Sequence, residues 1–269
     1  MTKKLTFYGT ALPGFEDETR AGKLIVIEGT DGVGRSTHTA LLRQWLESRG
    51  HAVLDTGMTR SVLVGRGLKA AKSGTTLGRL TMQLFYATDF VDRLENEMLP
   101  ALRAGFIVLT DRYIYSAIAR AVVRGVDPKW IRSIYGVALV PDAVLYLRVE
   151  RPEDLVSRVI FSGRKLDYWE SGMDMHLGPD FYDSFIQYQK LLLREFDRMS
   201  GEYGFKVIDA SRSVRRVASD LRRAVARLVD VEGPVGSVSE REVREVAEQM
   251  SQAGSSALDA EQAEGTAGR

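Results

Sequence analysis

The residues best suited to bind a phosphate lie in a glycine-rich stretch whose spacing follows the phosphate-binding pattern G-x-x-x-x-G-K-[ST]. The stretch reads Gly29-Thr30-Asp31-Gly32-Val33-Gly34-Arg35-Ser36-Thr37. Glycines there allow backbone N–H groups to turn towards a phosphate, and the start of a following helix adds a positive dipole. Ser36 can offer its hydroxyl to magnesium. Arg35 stands where the pattern has lysine, so the positive charge is kept but is presented as a planar fork.

A second polar group, Asp111-Arg112-Tyr113, directly follows the apolar run Phe106–Thr110. Ligands of open α/β sheets bind at the carboxyl ends of the strands. An aspartate in that place can hold water on magnesium, and an arginine can hold a phosphate through two hydrogen bonds. On these residues alone, a working pair and an incidental ion pair at a strand end are equally compatible with the sequence.

The order of apolar segments predicts the elements that position these groups. A strand precedes the glycine loop, and a helix predicted at His38–Arg49 follows it. Strand-like runs recur at Leu24–Ile27, His51–Asp55, Phe106–Thr110, Ala143–Val149 and Lys206–Asp209. Segments of helical length separate these runs. Such alternation predicts an α/β domain with a parallel sheet and helices on both faces.

The composition excludes several classes of protein and of site. A net charge of +1 over 269 residues provides no overall field that would recruit nucleic acid or a membrane surface. The absence of cysteine excludes disulfides and thiolate metal sites. No apolar run approaches the ~18 residues of a membrane helix, and no secretion signal is evident. We therefore expect a soluble, cytoplasmic protein without nucleic-acid or membrane partners.

The two ends differ in composition from the middle of the chain. Residues 1–22 are mixed and turn-rich, which predicts an extension that lies on the domain or stays mobile. Residues 231–269 carry eight acidic and three basic side chains, a net charge of −5. We predict a disordered acidic tail there, with a short helical pattern at Ser239–Met250. The domain proper is then 23–230, and its last predicted helix, Val214–Val229, combines an apolar stripe with a solvated basic face.

Several motifs in a fixed order make the chain resemble the thymidylate kinase family of P-loop nucleoside monophosphate kinases. The motifs are Glu28-Gly29-Thr30-Asp31-Gly32, Thr59-Arg60-Ser61, Leu84–Phe90, Thr110-Asp111-Arg112-Tyr113, Pro141–Leu147 and Ile208–Ser211. The resemblance runs from about Lys23 to Val229. It implies a P-loop NTPase-type three-layer α/β fold with a parallel five-stranded sheet. It also implies ATP-dependent phosphorylation of dTMP to dTDP, with Mg²⁺ as the metal.

The resemblance further implies roles for individual residues. For ATP binding it implies every residue of the glycine loop, from Gly29 to Thr37, together with Ser211. The expected acceptor-binding residues are Asp31, Arg60, Tyr86, Phe90, Arg112 and Ser116. The expected catalytic residues are Asp31, Arg35, Arg112 and Arg164, and Ser36 and Asp111 are the expected magnesium contacts. A lid is expected at about 158–172, where the candidate basic groups are Arg158, Arg164 and Lys165.

Three features depart from the family pattern. Arg35 replaces the lysine of the loop, Phe90 replaces an arginine on the thymine side, and Ala117 and Arg120 stand where asparagine or glutamine and then tyrosine are frequent. Base recognition must therefore differ. Three hypotheses follow: an active dTMP kinase, a kinase of the same fold for another nucleoside monophosphate, and a nucleotide-binding module with weak or no turnover. The implied partners are ATP and a nucleoside monophosphate, and the family resemblance adds a possible homodimer.

Overall fold

The computed structural model describes residues 2–73, 77–161, 166, 168–229 and 235–252. Its strands are β1 (Lys3–Lys4), β2 (Thr19–Arg20), β3 (Lys23–Gly29), β4 (Val53–Gly57), β5 (Ile107–Asp111), β6 (Ala143–Arg148) and β7 (Lys206–Asp209). Its α-helices are α1 (Arg35–Ser48), α2 (Gly65–Ser73), α3 (Arg79–Arg93), α4 (Leu99–Arg103), α5 (Ile114–Val123), α6 (Pro128–Ile134), α7 (Glu153–Phe161), α8 (Phe181–Tyr203), α9 (Val214–Ala226) and α10 (240–252).

Strands β3 to β7 form a parallel five-stranded sheet in the order β4-β5-β3-β6-β7. The predicted α/β fold is confirmed, and each predicted strand is present with its ends shifted by at most two residues. In the central strand, Ile25 lies opposite Leu109 of β5 and Ala143 of β6. The carboxyl ends of β3 and β5 therefore lie side by side, which brings the glycine loop next to Asp111.

Two apolar cores cover the two faces of the sheet. Leu24 and Val26 of β3 face the core that includes α3, α5 and α8, whereas Ile25 and Ile27 face the core that includes α1, α7 and α9. All four of these side chains are fully buried. Side chains of a strand alternate between faces, so a strand covered on both sides is apolar at every position. This is why the central strands could be read from the sequence.

Both chain ends pack against the sheet domain where the structure describes them. Leu5 and Leu12 of the N-terminal segment are buried in the first core, and Arg20 donates a 2.5 Å hydrogen bond to Asp142. Residues 2–22 are thus an extension that lies on the domain, one of the two predicted alternatives. At the other end, the helical pattern predicted at Ser239–Met250 is present as helix α10 at 240–252, which is docked and buries Val246 instead of being disordered. Of the rest of the predicted tail, 235–239 are described, and 231–234 and 253–269 lie outside the described residues.

Across the described ranges, no helix combines the length and the apolar character that a membrane span requires.

Candidate active site

The glycine loop joins β3 to α1 in a conformation that only glycine adopts easily. Gly29, Gly32 and Gly34 have φ values of 153°, 79° and 94°. A Cβ atom on Gly29 would lie 2.7 Å from the Leu147 carbonyl oxygen. Helix α1 begins at Arg35, three residues earlier than predicted; Gly34 is its N-cap residue, and the Gly34 carbonyl oxygen accepts a hydrogen bond of 3.1 Å from the His38 N–H. The free N–H groups of the first helical turn therefore face the cavity beside the loop.

This P-loop cavity has a volume of about 450 Å³. Its lining residues come from the glycine loop, α1, α7, the loop after β7, the start of α9, and α10: Gly32, Val33, Gly34, Arg35, Ser36, Thr37, His38, Arg158, Val159, Ala210, Arg212, Ser213, Val214 and Met250. Six of the nine predicted ATP-binding loop residues are therefore in this wall. Thr30 is instead buried beneath the loop, and Ser211 is exposed, with its hydroxyl donating to Asp209 at 2.5 Å.

Arg35 points back into the loop and towards β5. Its Nε donates to Asp111 Oδ1 at 2.9 Å, and its Nη1 donates to the Gly29 and Thr30 carbonyl oxygens. Burial and the nearby Arg112 lower the pKa of the Arg35 guanidinium, whereas Asp111 and Asp31 act in the opposite direction. An arginine is not deprotonated in proteins, so the group is a buried cation at the base of the loop.

Asp111 is the carboxylate on which the loop and the strand end converge. Besides Arg35, it accepts a hydrogen bond of 2.9 Å from the Ser36 hydroxyl. Burial favours the neutral acid, but Arg35 and Arg112 outweigh burial and lower the pKa of Asp111 below its usual value. Asp111 is therefore ionised at neutral pH. The two predicted magnesium contacts, Ser36 and Asp111, lie beside each other.

Asp31 forms a buried ionic cluster with two arginines. Its carboxylate accepts hydrogen bonds from Arg120 at 2.7 and 2.8 Å and from Arg112. Gln189 of α8 donates to the same carboxylate at 3.2 Å and accepts from the Asp31 backbone N–H at 3.1 Å. Burial opposes ionisation, but Arg120, Arg112 and Arg35 hold the pKa of Asp31 far below its usual value. Asp31 thus fixes the position of both guanidinium groups.

The Asp-Arg-Tyr turn is held to the loop by Glu28. Arg112 has a left-handed backbone, with φ 71°, which is uncommon for a residue other than glycine. Glu28 is fully buried and accepts hydrogen bonds from the Tyr113 N–H at 2.9 Å and from the Ser116 hydroxyl at 2.6 Å. Burial raises the pKa of Glu28 despite these bonds. Glu28 therefore positions Arg112 through the turn.

A second cavity, of about 230 Å³, opens between the start of α1, the loop after β4 and the carboxyl end of β5. We call it the arginine cavity because four arginines line it: Arg35, Arg60, Arg112 and Arg120. Ser36, Asp111 and other residues complete the lining. Buried Asp89 holds the Arg60 loop by accepting from the N–H groups of Thr59 at 3.0 Å and Ser61 at 2.9 Å. Clustered guanidinium groups of this kind match the geometry of a phosphate.

A third cavity, of about 600 Å³, adjoins the arginine cavity between α3 and α5. We call it the aromatic cavity because Tyr86, Tyr168 and Trp169 line it, along with Gln83, Arg120 and Arg124. Gln83 is 2% exposed, and its Oε1 has no hydrogen-bond partner among the described residues. A buried carbonyl oxygen without a donor costs free energy until a ligand supplies one. Tyr86 and Arg120 line both this cavity and the arginine cavity.

Two predicted acceptor-binding residues have different surroundings. Phe90 is 3% exposed and packs edge-on against Tyr113 and Tyr135, with ring centres 5.2 and 5.7 Å away. Ser116 is buried against Glu28. Neither is among the residues that line the three cavities described above, and the expected contact of these two residues with the acceptor stays a prediction. Aromatic burial in the core accounts for Phe90, and the bond to Glu28 accounts for Ser116.

The remaining predicted residues divide between the cavities and the undescribed part of the chain. Arg60, Tyr86 and Arg112 line the arginine cavity, and Arg158 lines the P-loop cavity. Arg164 and Lys165 lie outside the described residues. Sequence reasoning missed Gln83, Asp89 and Gln189. Gln83 could have been found from its position one turn before Tyr86 on the same helix, since residues three apart share a face.

Comparison with known proteins agrees with this arrangement. A family model described as thymidylate kinase matches residues 27–221, which is most of the chain. The chain belongs to the thymidylate kinase family. It is 36% identical to a probable thymidylate kinase 2 of Saccharolobus solfataricus, an alignment that covers 78% of this chain and 98% of the relative. It is 32% identical to a thymidylate kinase of Pelotomaculum thermopropionicum, over 78% of this chain and 95% of the relative.

The thymidylate kinase match covers most of the segments that line the three cavities. The glycine loop, the Arg60 loop and the Asp-Arg-Tyr turn all lie inside the matched range, whereas α10 lies outside it. The family resemblance drawn from the motif order is confirmed. In this member of the thymidylate kinase family, the structure adds a buried amide, Gln83, in the aromatic cavity to the two departures at Arg35 and Phe90.

Proposed function

We propose that the protein transfers the γ-phosphoryl group of ATP to the phosphate of dTMP, giving ADP and dTDP. One observation carries this proposal: the three cavities adjoin one another in the order that the reaction requires. Arg35 and Ser36 line both the P-loop cavity and the arginine cavity, and Tyr86 and Arg120 line both the arginine cavity and the aromatic cavity. Donor phosphates, transferred group, acceptor phosphate and acceptor base would then lie along one path.

On the donor side, the N–H groups of the loop and of the first turn of α1 bind the ATP phosphates. Arg35 donates to two carbonyl oxygens of the loop, and its buried positive charge stabilises the negative charge of the bound phosphates electrostatically. In place of Ser211, which was predicted to bind ATP, we propose its neighbours Ala210 and Arg212, because these two residues line the P-loop cavity. Arg164 remains a proposed lid residue, and Arg158 is the candidate that the described residues support.

In the transfer step, an acceptor phosphate oxygen forms a bond to the γ-phosphorus while the bond to the β–γ bridging oxygen breaks. Such phosphoryl transfer passes through a loose transition state, so catalysis consists of positioning and charge stabilisation. Arg60 and Arg112 hold the acceptor phosphate, and Asp31 contributes by holding Arg112 and Arg120 in place. A general base is not required, because the acceptor oxygen is already ionised at neutral pH.

The residues beside the loop fit a magnesium ion. Ser36 and Asp111 present a hydroxyl and an ionised carboxylate 2.9 Å apart, and Mg²⁺ is usually held by one or two protein oxygens together with substrate phosphates and water. We propose that these two residues hold the metal, directly or through its water. When bound, the metal neutralises charge on the phosphate oxygens.

For the acceptor base, we propose that Tyr86 stacks on the ring and that Gln83 binds its polar edge. The Gln83 amide offers one acceptor and two donor hydrogens, so it can pair with the N3–H and a carbonyl oxygen of thymine. In the reverse orientation the same amide can pair with cytosine. Uracil presents the same N3–H and carbonyl edge as thymine, so dUMP and dCMP are the alternative acceptors that this amide could bind. The predicted homodimer and cytoplasmic location also remain part of the proposal, and light scattering of the purified protein would test the dimer.

A coupled assay of ADP formation across nucleoside monophosphates tests the proposal. We expect the highest kcat/KM with dTMP and a loss on the order of 10³-fold for Arg112→Met, because this arginine would hold the acceptor phosphate in line with the transferred group. Arg43→Met is the matched control, since Arg43 is an exposed arginine paired with Glu47. A higher kcat/KM for dCMP, dUMP or AMP would transfer the proposal to that acceptor. Absence of turnover with every acceptor would leave the binding-module hypothesis.

A further inference from the structure

The C-terminal helix α10 lies outside the family match at 27–221 but packs on the family domain. Val238, just before the helix, and Val246 within it are buried at 1% and 0% exposure. They form a small apolar cluster with Leu41 of α1 and Ala218 of α9. The helix therefore has a defined docking position beside the two helices that flank the glycine loop and the loop after β7.

Polar contacts fix the start and the orientation of α10. Arg222 belongs to the basic residues of α9, a helix whose basic face was predicted to be solvated, but it is buried and donates to Glu242 at 2.6 Å. Glu242 also accepts from the Ser239 N–H at 2.8 Å, while the Glu242 N–H donates to the Ser239 hydroxyl at 3.2 Å. This reciprocal pair is a capping box, the arrangement that starts a helix at a fixed residue. A hydrogen bond of 2.9 Å joins Gln44 to Gln249 near the other end.

The far end of α10 reaches the P-loop cavity. Met250 lines that cavity together with the glycine loop, with Arg212 and Ser213 of the loop after β7, and with Val214 at the start of α9. Met250 is 38% exposed, so its side chain is available to a ligand. A methionine thioether is flexible and makes favourable contacts with aromatic rings. The phosphates of a nucleotide would bind at the start of α1, which leaves the wall formed by Val214 and Met250 for the base.

We propose that α10, through Met250, forms one wall of the donor-nucleotide site and contacts the base of bound ATP. The inference rests on the proposed function, since it takes the P-loop cavity as the ATP site. It adds a donor contact from a segment outside the matched family domain. Because α10 makes this contact only when it is docked, ATP binding and docking of α10 must favour each other.

Steady-state kinetics of the full chain test the contact. Met250→Ala should raise the KM for ATP about three- to tenfold, in line with the loss of one sulfur–aromatic contact, and should leave the KM for dTMP unchanged. Met250→Leu should stay within about twofold of the wild type, because it keeps an apolar side chain of similar volume. Glu248→Ala is the control on the same helix, exposed and outside the cavity wall. A KM for ATP in Met250→Ala within twofold of the wild type would overturn the inference.

Hydrogen exchange provides a second readout that does not depend on turnover. Adding ATP alone to the wild-type protein should slow exchange of the backbone amides of 240–252, and unchanged exchange there would overturn the inference. A wild-type protein that neither binds ATP nor consumes it would instead refute the proposed function. The two failures are thereby distinguished.

Discussion

Replacement of Arg35 by methionine is the perturbation whose consequences the structure predicts most fully. Methionine retains an unbranched apolar stem but removes the charge and the donors to Asp111, Gly29 and Thr30. Breaking a buried ion pair by removing one partner costs about 3–5 kcal/mol. Because Asp111 keeps its hydrogen bond from Ser36 and lies near Arg112, we place the loss of unfolding free energy at about 2–4 kcal/mol.

The catalytic consequence of Arg35→Met should exceed its effect on folding. Loss of an arginine that supports the transferred group lowers the rate on the order of 10³-fold, which corresponds to about 4 kcal/mol of transition-state stabilisation. Arg35→Lys keeps a cation at this position, so we expect its kcat to equal or exceed that of the wild type. The assay is kcat at saturating ATP and dTMP, at a temperature where circular dichroism shows each variant folded.

Arg43→Met provides the comparison for Arg35→Met on the same helix. Arg43 is about half exposed and pairs with Glu47 at 2.8 Å, an interaction worth about 0.3–0.5 kcal/mol. Its removal should leave kcat unchanged. If folded Arg35→Met retained kcat within about tenfold of the wild type, the reasoning that assigns the loop cation a role in transfer would be refuted.

Three further predictions concern the acceptor site and the pH dependence of stability. Gln83→Leu should raise the KM for dTMP about 10- to 100-fold without lowering the thermal stability of the free protein, because the lost amide oxygen has no partner there; a destabilised variant with an unchanged KM would contradict this. Asp89→Asn should raise the KM for dTMP by loosening the Arg60 loop, and it should cost about 3 kcal/mol of unfolding free energy because it breaks the buried pair with Arg93; urea unfolding and kinetics measure the two effects. Burial and nearby Arg158 lower the pKa of His38 from 6.5 to about 4, so the unfolded chain binds the proton first and stability falls as the pH drops from about 6.5 to about 4. That loss is about 2 kcal/mol at pH 5, and His38→Asn should remove it; equal stability losses in both proteins between pH 7.5 and pH 5 would argue against it.

The sequence predicted the sheet and the glycine loop because both are encoded by neighbouring residues. Strands such as β3 and β5 are buried on both faces, so their apolar character is continuous and visible in a short window. The glycine loop and the Asp-Arg-Tyr turn are contiguous motifs at strand ends. Their lateral proximity then follows from the parallel pairing of the two strands.

The parts that sequence reasoning missed depend on partners far apart in the chain. Gln189 lies 158 residues from Asp31, and no local pattern links an amide on a long helix to the glycine loop. The position of Phe90 depends on the rings of Tyr113 and Tyr135, which tertiary packing brings together. Helix α10 was outlined as a helical pattern, but its docking depends on Arg222, whose burial is not evident from an arginine-rich helix.

The most direct test of the central claim is the fate of the γ-phosphoryl group. Purified protein incubated with Mg²⁺, dTMP and ATP labelled at the γ-phosphate should convert dTMP into labelled dTDP, with one ADP formed for each dTDP. Release of the label as inorganic phosphate, or retention of the label in ATP with the nucleotide merely bound, would contradict the assignment of phosphoryl transfer to the path from the P-loop cavity to the arginine cavity.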